Sequence, residues 1–126
     1  MSFNVAIDGK AGAGKSTIAK QLAKELGFVY VDTGAMYRAL AIHFLKQGLK
    51  PEDTEAIKEA CKSATVTLQY EDGIQQVYLN GENVTAMLRQ EAVGNMASVS
   101  SAIMEVRAQL LELQRDLART QNVVMD

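Results

Sequence analysis

The chain has 126 residues, 48% apolar, 22% charged and 6% aromatic, a composition that excludes disorder, collagen-like repeats and a disulfide scaffold and suits one globular domain. Thirteen Lys and Arg against fifteen Asp and Glu leave a net charge of −2, so no global basic field draws nucleic acid or an anionic membrane, and an anionic ligand must be held by local groups. Cys61 is the only cysteine; with no internal disulfide, no leader-like segment and no apolar run near the ~20 residues that span a bilayer, a reducing cytoplasm is the expected setting.

Val5-Ala6-Ile7 reads as a short buried strand, followed at once by a glycine-rich turn. A helix is expected from about Lys15 to Leu26, with Ile18, Leu22 and Leu26 on one face and Gly27 as its C-terminal glycine. Phe28-Val29-Tyr30-Val31 is the next strand, ending at Asp32. Two continuous apolar strands around a helix are the pattern of a parallel sheet. Asp32 or Thr33 can cap a second helix over residues 35–47, closed by Gly48, and Pro51 opens a third with apolar positions at Ile57, Ala60, Cys61 and Ala64.

The character then changes. Residues 65–70 alternate with period two, Asp72-Gly73 makes a turn, residues 74–79 follow, and Asn80-Gly81 turns into a third strand at 82–84. This antiparallel meander reads as an inserted subdomain. From Met87 to about Arg119 the chain is expected to be helical, with Val99, Ile103, Val106, Leu110, Leu113 and Leu117 along a buried face too short for a coiled coil. Val123-Val124-Met125-Asp126 reads as a strand. Natural domains rarely stop on a bare strand tipped by an acid, so a fragment of a longer chain is expected. His43 and Cys61 read as structural residues.

Gly9-Lys10-Ala11-Gly12-Ala13-Gly14-Lys15-Ser16 matches G-x-x-x-x-G-K-[ST], after a predicted strand and opening a predicted helix. A chance match in such a chain has odds on the order of one in a few hundred. The glycines let backbone N–H groups turn inward as an anion nest, and the helix N-terminus adds its positive end. Lys15 reaches the β- and γ-phosphates and the Ser16 hydroxyl ligates Mg²⁺, while Thr17 follows in the first turn. The competing reading is a plain glycine-rich turn. The loop specifies a nucleotide and not a reaction. The D-x-x-G and N-K-x-D elements of a GTPase do not occur in these residues, and a substrate-binding insert after the second strand favours a kinase.

Asp32-Thr33-Gly34-Ala35-Met36-Tyr37-Arg38 resembles the D-[ST]-G-A-x-Y-R signature of bacterial cytidylate kinases. Ala97-Ser98, then Val106-Arg107 and Gln114-Arg115, resemble that family's helical stretch before its third core strand, and the meander at 65–84 is similar to its extra sheet. The resemblance covers the whole chain. The family continues with a Gly-Arg-Asp segment, a mobile lid and further arginines that these residues do not include. Lys10 and Met104 stand where the family often has proline. Ser98 and Arg107 would face opposite sides of one straight helix. For both to touch one substrate the helix must break between them, and Ser100-Ser101 can cap a new one.

The resemblance implies an α/β fold, a P-loop kinase core of residues 1–37 and 108–126 with a monophosphate-binding insert at 38–107. It implies ATP-dependent phosphorylation of CMP and dCMP with Mg²⁺, by a cytoplasmic monomer whose partners are small nucleotides and not nucleic acid or membrane. The 126-residue chain alone is expected to be inactive. Another small P-loop kinase, or a nucleotide-binding module without turnover, are the competing readings. Lys15 and Arg38 are the candidate catalytic residues, and residues 9–17 the ATP site. Arg38 suits a substrate phosphate by its bidentate guanidinium, against a solvated surface arginine. Arg107 is a second cation or an exposed helix charge. Thr33 and Ser98 offer hydroxyls to the nucleoside, or Thr33 only caps. Tyr37 packs near the base or in the core, and Asp32 contacts substrate or caps a helix. Asp126, at a strand end, would join Ser16 in holding Mg²⁺ through water.

Overall fold

The computed structural model describes residues 4–6, 15–71 and 74–125. The elements are β1 (Asn4–Ala6), α1 (Lys15–Leu26), β2 (Val29–Val31), α2 (Thr33–Lys46), α3 (Thr54–Ala60), β3 (Val66–Glu71), β4 (Ile74–Leu79), β5 (Glu82–Asn83), α4 (Glu91–Ser100), α5 (Met104–Thr120) and β6 (Val123–Met125). β6 lies between β1 and β2 and runs parallel to both, so Ala6 and Val31 each pair with Met125. β3, β4 and β5 form a separate antiparallel sheet. This is the mixed α/β architecture expected from the sequence. Asn80 (φ 51°) and Gly81 (φ 85°) both take the left-handed region between β4 and β5, as a two-residue hairpin turn of primed type requires. Ile7 and the Asp72-Gly73 turn lie outside the described residues.

Alternation along the parallel strands divides the core between the two faces of that sheet. Tyr30 and Val124 point to α1, where they meet Ala19 and Ala23. Val29, Val31 and Val123 point the other way, into an apolar cluster continuous through α2, α3, both long antiparallel strands, α4 and α5. The predicted face of α1 is thereby corrected in part: Leu22 packs against this cluster, but Ile18 and Leu26 are 57% and 48% exposed, and the helix is seated mainly through Ala19 and Ala23. Small side chains let it lie close on a narrow sheet, which leaves the larger residues at its flanks.

Two further helix boundaries differ from expectation. Pro51 does not open α3. The N–H of Asp53 donates to the Lys50 carbonyl (2.9 Å) and the N–H of Lys50 donates to the Asp53 carboxylate (2.8 Å). Pro51 therefore occupies the second position of a turn, which its fixed φ suits, and α3 starts at Thr54. The expected helix over 87–119 starts only at Glu91 and is broken between α4 and α5, the break that a shared substrate of Ser98 and Arg107 would need. Met104 is the first residue of α5, the position where a proline is best tolerated. The serines do not cap α5: Ile103 occupies its N-cap, Ser101 Oγ donates back to the Ser98 carbonyl (3.1 Å), and Ser100 Oγ is buried without a partner among the described residues. Val99, on α4, is exposed, whereas Val106, Leu110, Leu113 and Leu117 of α5 are buried.

His43 is structural, as expected. It is buried in α2, where Asn80 Nδ2 lies 3.4 Å from His43 Nδ1 and Asn80 Oδ1 accepts from the Thr65 N–H (2.8 Å). His43 Nε2 lies 2.9 Å from the Ala60 carbonyl and 3.1 Å from Ser63 Oγ. One ring ties α2 to α3 and to the β4–β5 turn. Cys61 is also buried, and desolvation holds its thiol above the usual thiol range.

The antiparallel sheet is fastened to the parallel one by a side chain. Gln75 Oε1 accepts from the Tyr30 N–H (2.9 Å), and Gln75 Nε2 donates to the Tyr30 carbonyl. One amide thus satisfies two groups on the outer edge of β2, as a neighbouring strand would. Gln75→Ala is expected to cost about 1–3 kcal/mol, because Tyr30 keeps its partly buried donor and acceptor without these partners. Urea unfolding checks this, and a loss below about 0.3 kcal/mol would show that solvent replaces the amide at no cost. Among the described residues no helix is long and apolar enough to cross a membrane.

Candidate active site

In an open parallel sheet ligands gather beyond the carboxyl ends of the strands. Here those ends share one register, since Ala6, Val31 and Met125 are aligned. The glycine-rich motif follows Ala6, Asp32 follows Val31, and Asp126 follows Met125. Residues 9–14 and Asp126 lie outside the described residues; Lys15, Ser16 and Thr17 form the first turn of α1.

The second of these segments is fully described. Asp32 is the N-cap of α2, its carboxylate accepting from the Ala35 N–H at 3.2 Å. Gly34 lies close beside it: a Cβ there would stand 3.3 Å from Asp32 Oδ1, so the carboxylate would have to give by a few tenths of an ångström. The cap fixes the start of α2 and so aims Tyr37 and Arg38. As successive helical residues these diverge by about 100°, and they serve different depressions. Thr33, Tyr37 and Arg107 line one of about 630 Å³ between α2 and the start of α5. Asp32 and Arg38 line another of about 610 Å³, bounded by α1, β2, the β3–β4 hairpin and the segment before α4. Ser98 is exposed on α4 and lines neither.

The second depression is strongly cationic. Lys20, Lys24, Arg38 and Arg89 line it, with Asp32 as its carboxylate. Lys20 Nζ also lies 5.7 Å from the centre of the Tyr30 ring, within cation–π range. Burial pushes the Tyr70 phenol up, so at neutral pH it stands in the wall as a neutral donor. Arg89, Lys20 and Gln75 carried no motif signal. Arg89 was concealed at the start of a stretch that reads as continuous helix.

A family profile described as cytidylate kinase matches residues 5–126. The chain belongs to the cytidylate kinase family. It is 48% identical over 124 residues to the cytidylate kinase of Caldicellulosiruptor bescii, covering 98% of this chain and 55% of that protein. With the cytidylate kinase of Caldanaerobacter subterraneus subsp. tengcongensis it shares 47% over 126 residues, all of this chain and 54% of the relative. With that of Exiguobacterium sp. it shares 46% over 125 residues, 99% and 56%. The chain therefore spans about half the length of the curated relatives it matches. The family agrees with what the sequence reading expected from the Asp32–Arg38 signature.

Proposed function

We propose that this chain carries the donor-phosphate loop and the acceptor site of an ATP:CMP phosphotransferase acting on CMP and dCMP. The observation that supports this most directly is the shared register of Ala6 and Val31 on Met125. It puts the carboxyl ends of β1 and β2, which the glycine-rich motif and the Asp32–Arg38 segment follow in sequence, at the same end of one sheet, an arrangement in which two nucleotides can meet phosphate to phosphate. The fold proposed is a P-loop monophosphate-kinase core of residues 1–37 and 108–126, with residues 38–107 as the monophosphate-binding insert. The relatives' further length supplies the remaining cations and the closure of the site, so the 126-residue polypeptide by itself turns over little or not at all. The working protein is a cytoplasmic monomer.

In this reading residues 9–17 hold ATP, with Lys15 on the transferring phosphate. Arg38 holds the phosphate of CMP, while Thr33, Tyr37, Ser98 and Arg107 address the nucleoside and Asp32 orients the start of α2. An oxygen of the CMP phosphate forms a bond to the γ-phosphorus as the bond to the bridging oxygen breaks, and ADP leaves with that electron pair. The acceptor is already ionised, so no general base is required. Catalysis is positioning and charge neutralisation. A Ser16 hydroxyl opening α1 and an Asp126 carboxylate following the central strand are hard oxygen donors of the kind that suits Mg²⁺ with water and phosphates as its other ligands. When bound, the ion neutralises charge on the β- and γ-phosphates.

The test is CMP-dependent ADP release by a protein of the relatives' full length. Arg38→Ala is expected to raise KM for CMP about ten- to a hundredfold, the range of hydrogen bonds to charged groups, with KM for ATP little changed. Equal effects on both substrates would remove Arg38 from the acceptor site, and no CMP-dependent release by the unmutated protein would overturn the function.

A further inference from the structure

Asn80 is the one asparagine in the sequence that glycine follows; Asn4, Asn83 and Asn122 precede valine, and Asn95 precedes methionine. An asparagine side-chain carbonyl is open to attack by the peptide nitrogen of the next residue. Glycine, with no Cβ, leaves that nitrogen unhindered, whereas a β-branched neighbour shields it. Asn80 and Gly81 are both exposed at the tip of the β4–β5 turn. The Gly81 N–H has no hydrogen-bond partner among the described residues, and a Cβ added at Gly81 would meet nothing within 4 Å. The nucleophile is therefore free and reached by water.

The electrophile is tied down. Asn80 Oδ1 accepts from the Thr65 N–H (2.8 Å), and the Asn80 N–H donates to the Thr65 carbonyl (2.7 Å). Asn80 Nδ2 lies 3.4 Å from His43 Nδ1. Closing a ring between Cγ and the Gly81 nitrogen rotates the Asn80–Gly81 peptide out of the left-handed turn, where Asn80 has φ 51°, and draws the side chain off Thr65. Reaction has to wait for the turn to open, a local event that costs less than global unfolding.

We propose that Asn80 is a self-modification site, losing its side-chain amide through a cyclic imide at a rate set by opening of the β4–β5 turn. The Gly81 nitrogen gives its proton to solvent and bonds to Cγ. The Cγ–Nδ2 bond breaks, and ammonia leaves with that electron pair and a proton from water. Water then opens the imide at either carbonyl, giving aspartate or isoaspartate with no change of oxidation state. Aspartate replaces the amide facing His43 with a carboxylate. Isoaspartate also adds a methylene to the backbone of a two-residue turn, which disturbs the pairing of Tyr78 with Asn83 and of Leu79 with Glu82. The disturbance reaches Thr85, whose N–H donates to Asn83 Oδ1 (3.0 Å) and whose Oγ1 accepts from the Val77 N–H (2.8 Å). This chemistry needs no substrate and is independent of the function proposed above.

Ageing of the purified 126-residue chain in mildly alkaline buffer, native and in concentrated urea, tests this when peptides are mapped by mass spectrometry at intervals. The peptide holding residues 80 and 81 is expected to be the first to gain the mass of an amide turned into an acid. Aspartyl and isoaspartyl forms should both appear, told apart by electron-transfer fragmentation. The gain should be at least about tenfold slower in the native chain than in urea, the effect of one or two hydrogen bonds that must first be released. Asp8-Gly9 and Asp72-Gly73 rearrange by the same route without a change of mass, so they leave this reading clear. The isoaspartyl form, isolated by ion exchange, is expected to have a lower Tm than the unmodified chain. A first gain at another residue, or none at residue 80 even in urea, overturns the site. An aspartyl product alone overturns the imide route, equal rates in buffer and urea overturn control by the turn, and an unchanged Tm overturns the consequence for the fold.

Discussion

Lys15→Ala is expected to lower phosphoryl transfer at least about a hundredfold in a protein of the relatives' full length, with circular dichroism and Tm unchanged. Removing one preorganised charge-stabilising group at a reacting centre costs about 10²–10³ in rate. The migrating phosphoryl group spreads negative charge over its oxygens as the bond to ADP loosens, and a lysine ammonium there is a fixed counter-charge. The substitution should leave the fold intact because alanine is the best helix former and position 15 begins α1. ATP binding should fall much less than turnover, since the backbone donors of a glycine-rich loop remain. Lys15→Arg is expected to remain impaired, because a planar fork does not reproduce a compact ammonium. Activity within tenfold of the unmutated protein, from a folded variant, would detach the motif from the chemistry.

What could be read in advance divides by the range of the interaction. The strand–helix–strand opening, the glycines closing α1 and α2, and the β3–β4–β5 meander are short-range patterns, and each is found in place. Asn80-Gly81 is the clearest case, because its two positive φ angles are a local requirement that a dipeptide announces. The helix boundaries that differed were also decided locally, but by side chains competing for backbone groups. The Asp53 carboxylate takes the Lys50 N–H and makes a turn where Pro51 read as a helix start. The face of α1 was not legible. Leucine at every fourth place and alanine at every fourth place give the same period, and only the sheet decides which stripe goes inside.

The candidate site shows the same division. Asp32 is legible as a cap from the residues after it, whereas the closeness of Gly34 to its carboxylate shows only in the structure. Tyr37 and Arg38 are adjacent in one motif, yet the helical turn sends them to different depressions, which no motif states. Gln75 grips Tyr30 from 45 residues away. Arg89 joins Arg38 because the meander folds back over α2. Contacts of this separation leave no local trace in sequence, since any residue of suitable length and polarity can make them.

Phe44→Ala is expected to be the most destabilising single change in α2, at about 3–5 kcal/mol. Phe44 is fully buried, and so are Ala39, Leu40 and Ala41 before it, with Ile42 and His43 at 2% and 7% exposure. A helix enclosed on that many sides cannot shift to fill a void, so both the lost transfer energy and the cavity are felt. The Phe44 carbonyl also accepts from the N–H groups of Gln47 and Leu49, each at 3.1 Å, at the end of the helix. Small domains have only about 5–15 kcal/mol in total, so a Tm drop of more than about 10 °C should follow. Phe44→Leu should lose clearly less, because it retains most of the apolar volume. Leu111→Ala, at a position 46% exposed on α5, should change stability by no more than about 0.5 kcal/mol. Denaturant unfolding separates the cases, and unchanged m-values would locate the effect in the folded state. A loss under about 1 kcal/mol for Phe44→Ala would show that α2 is free to collapse around the gap. That freedom would reach Asp32 and Arg38 at the other end of the same helix, and the fixed aim of Arg38 on which the acceptor site rests would then be lost with it.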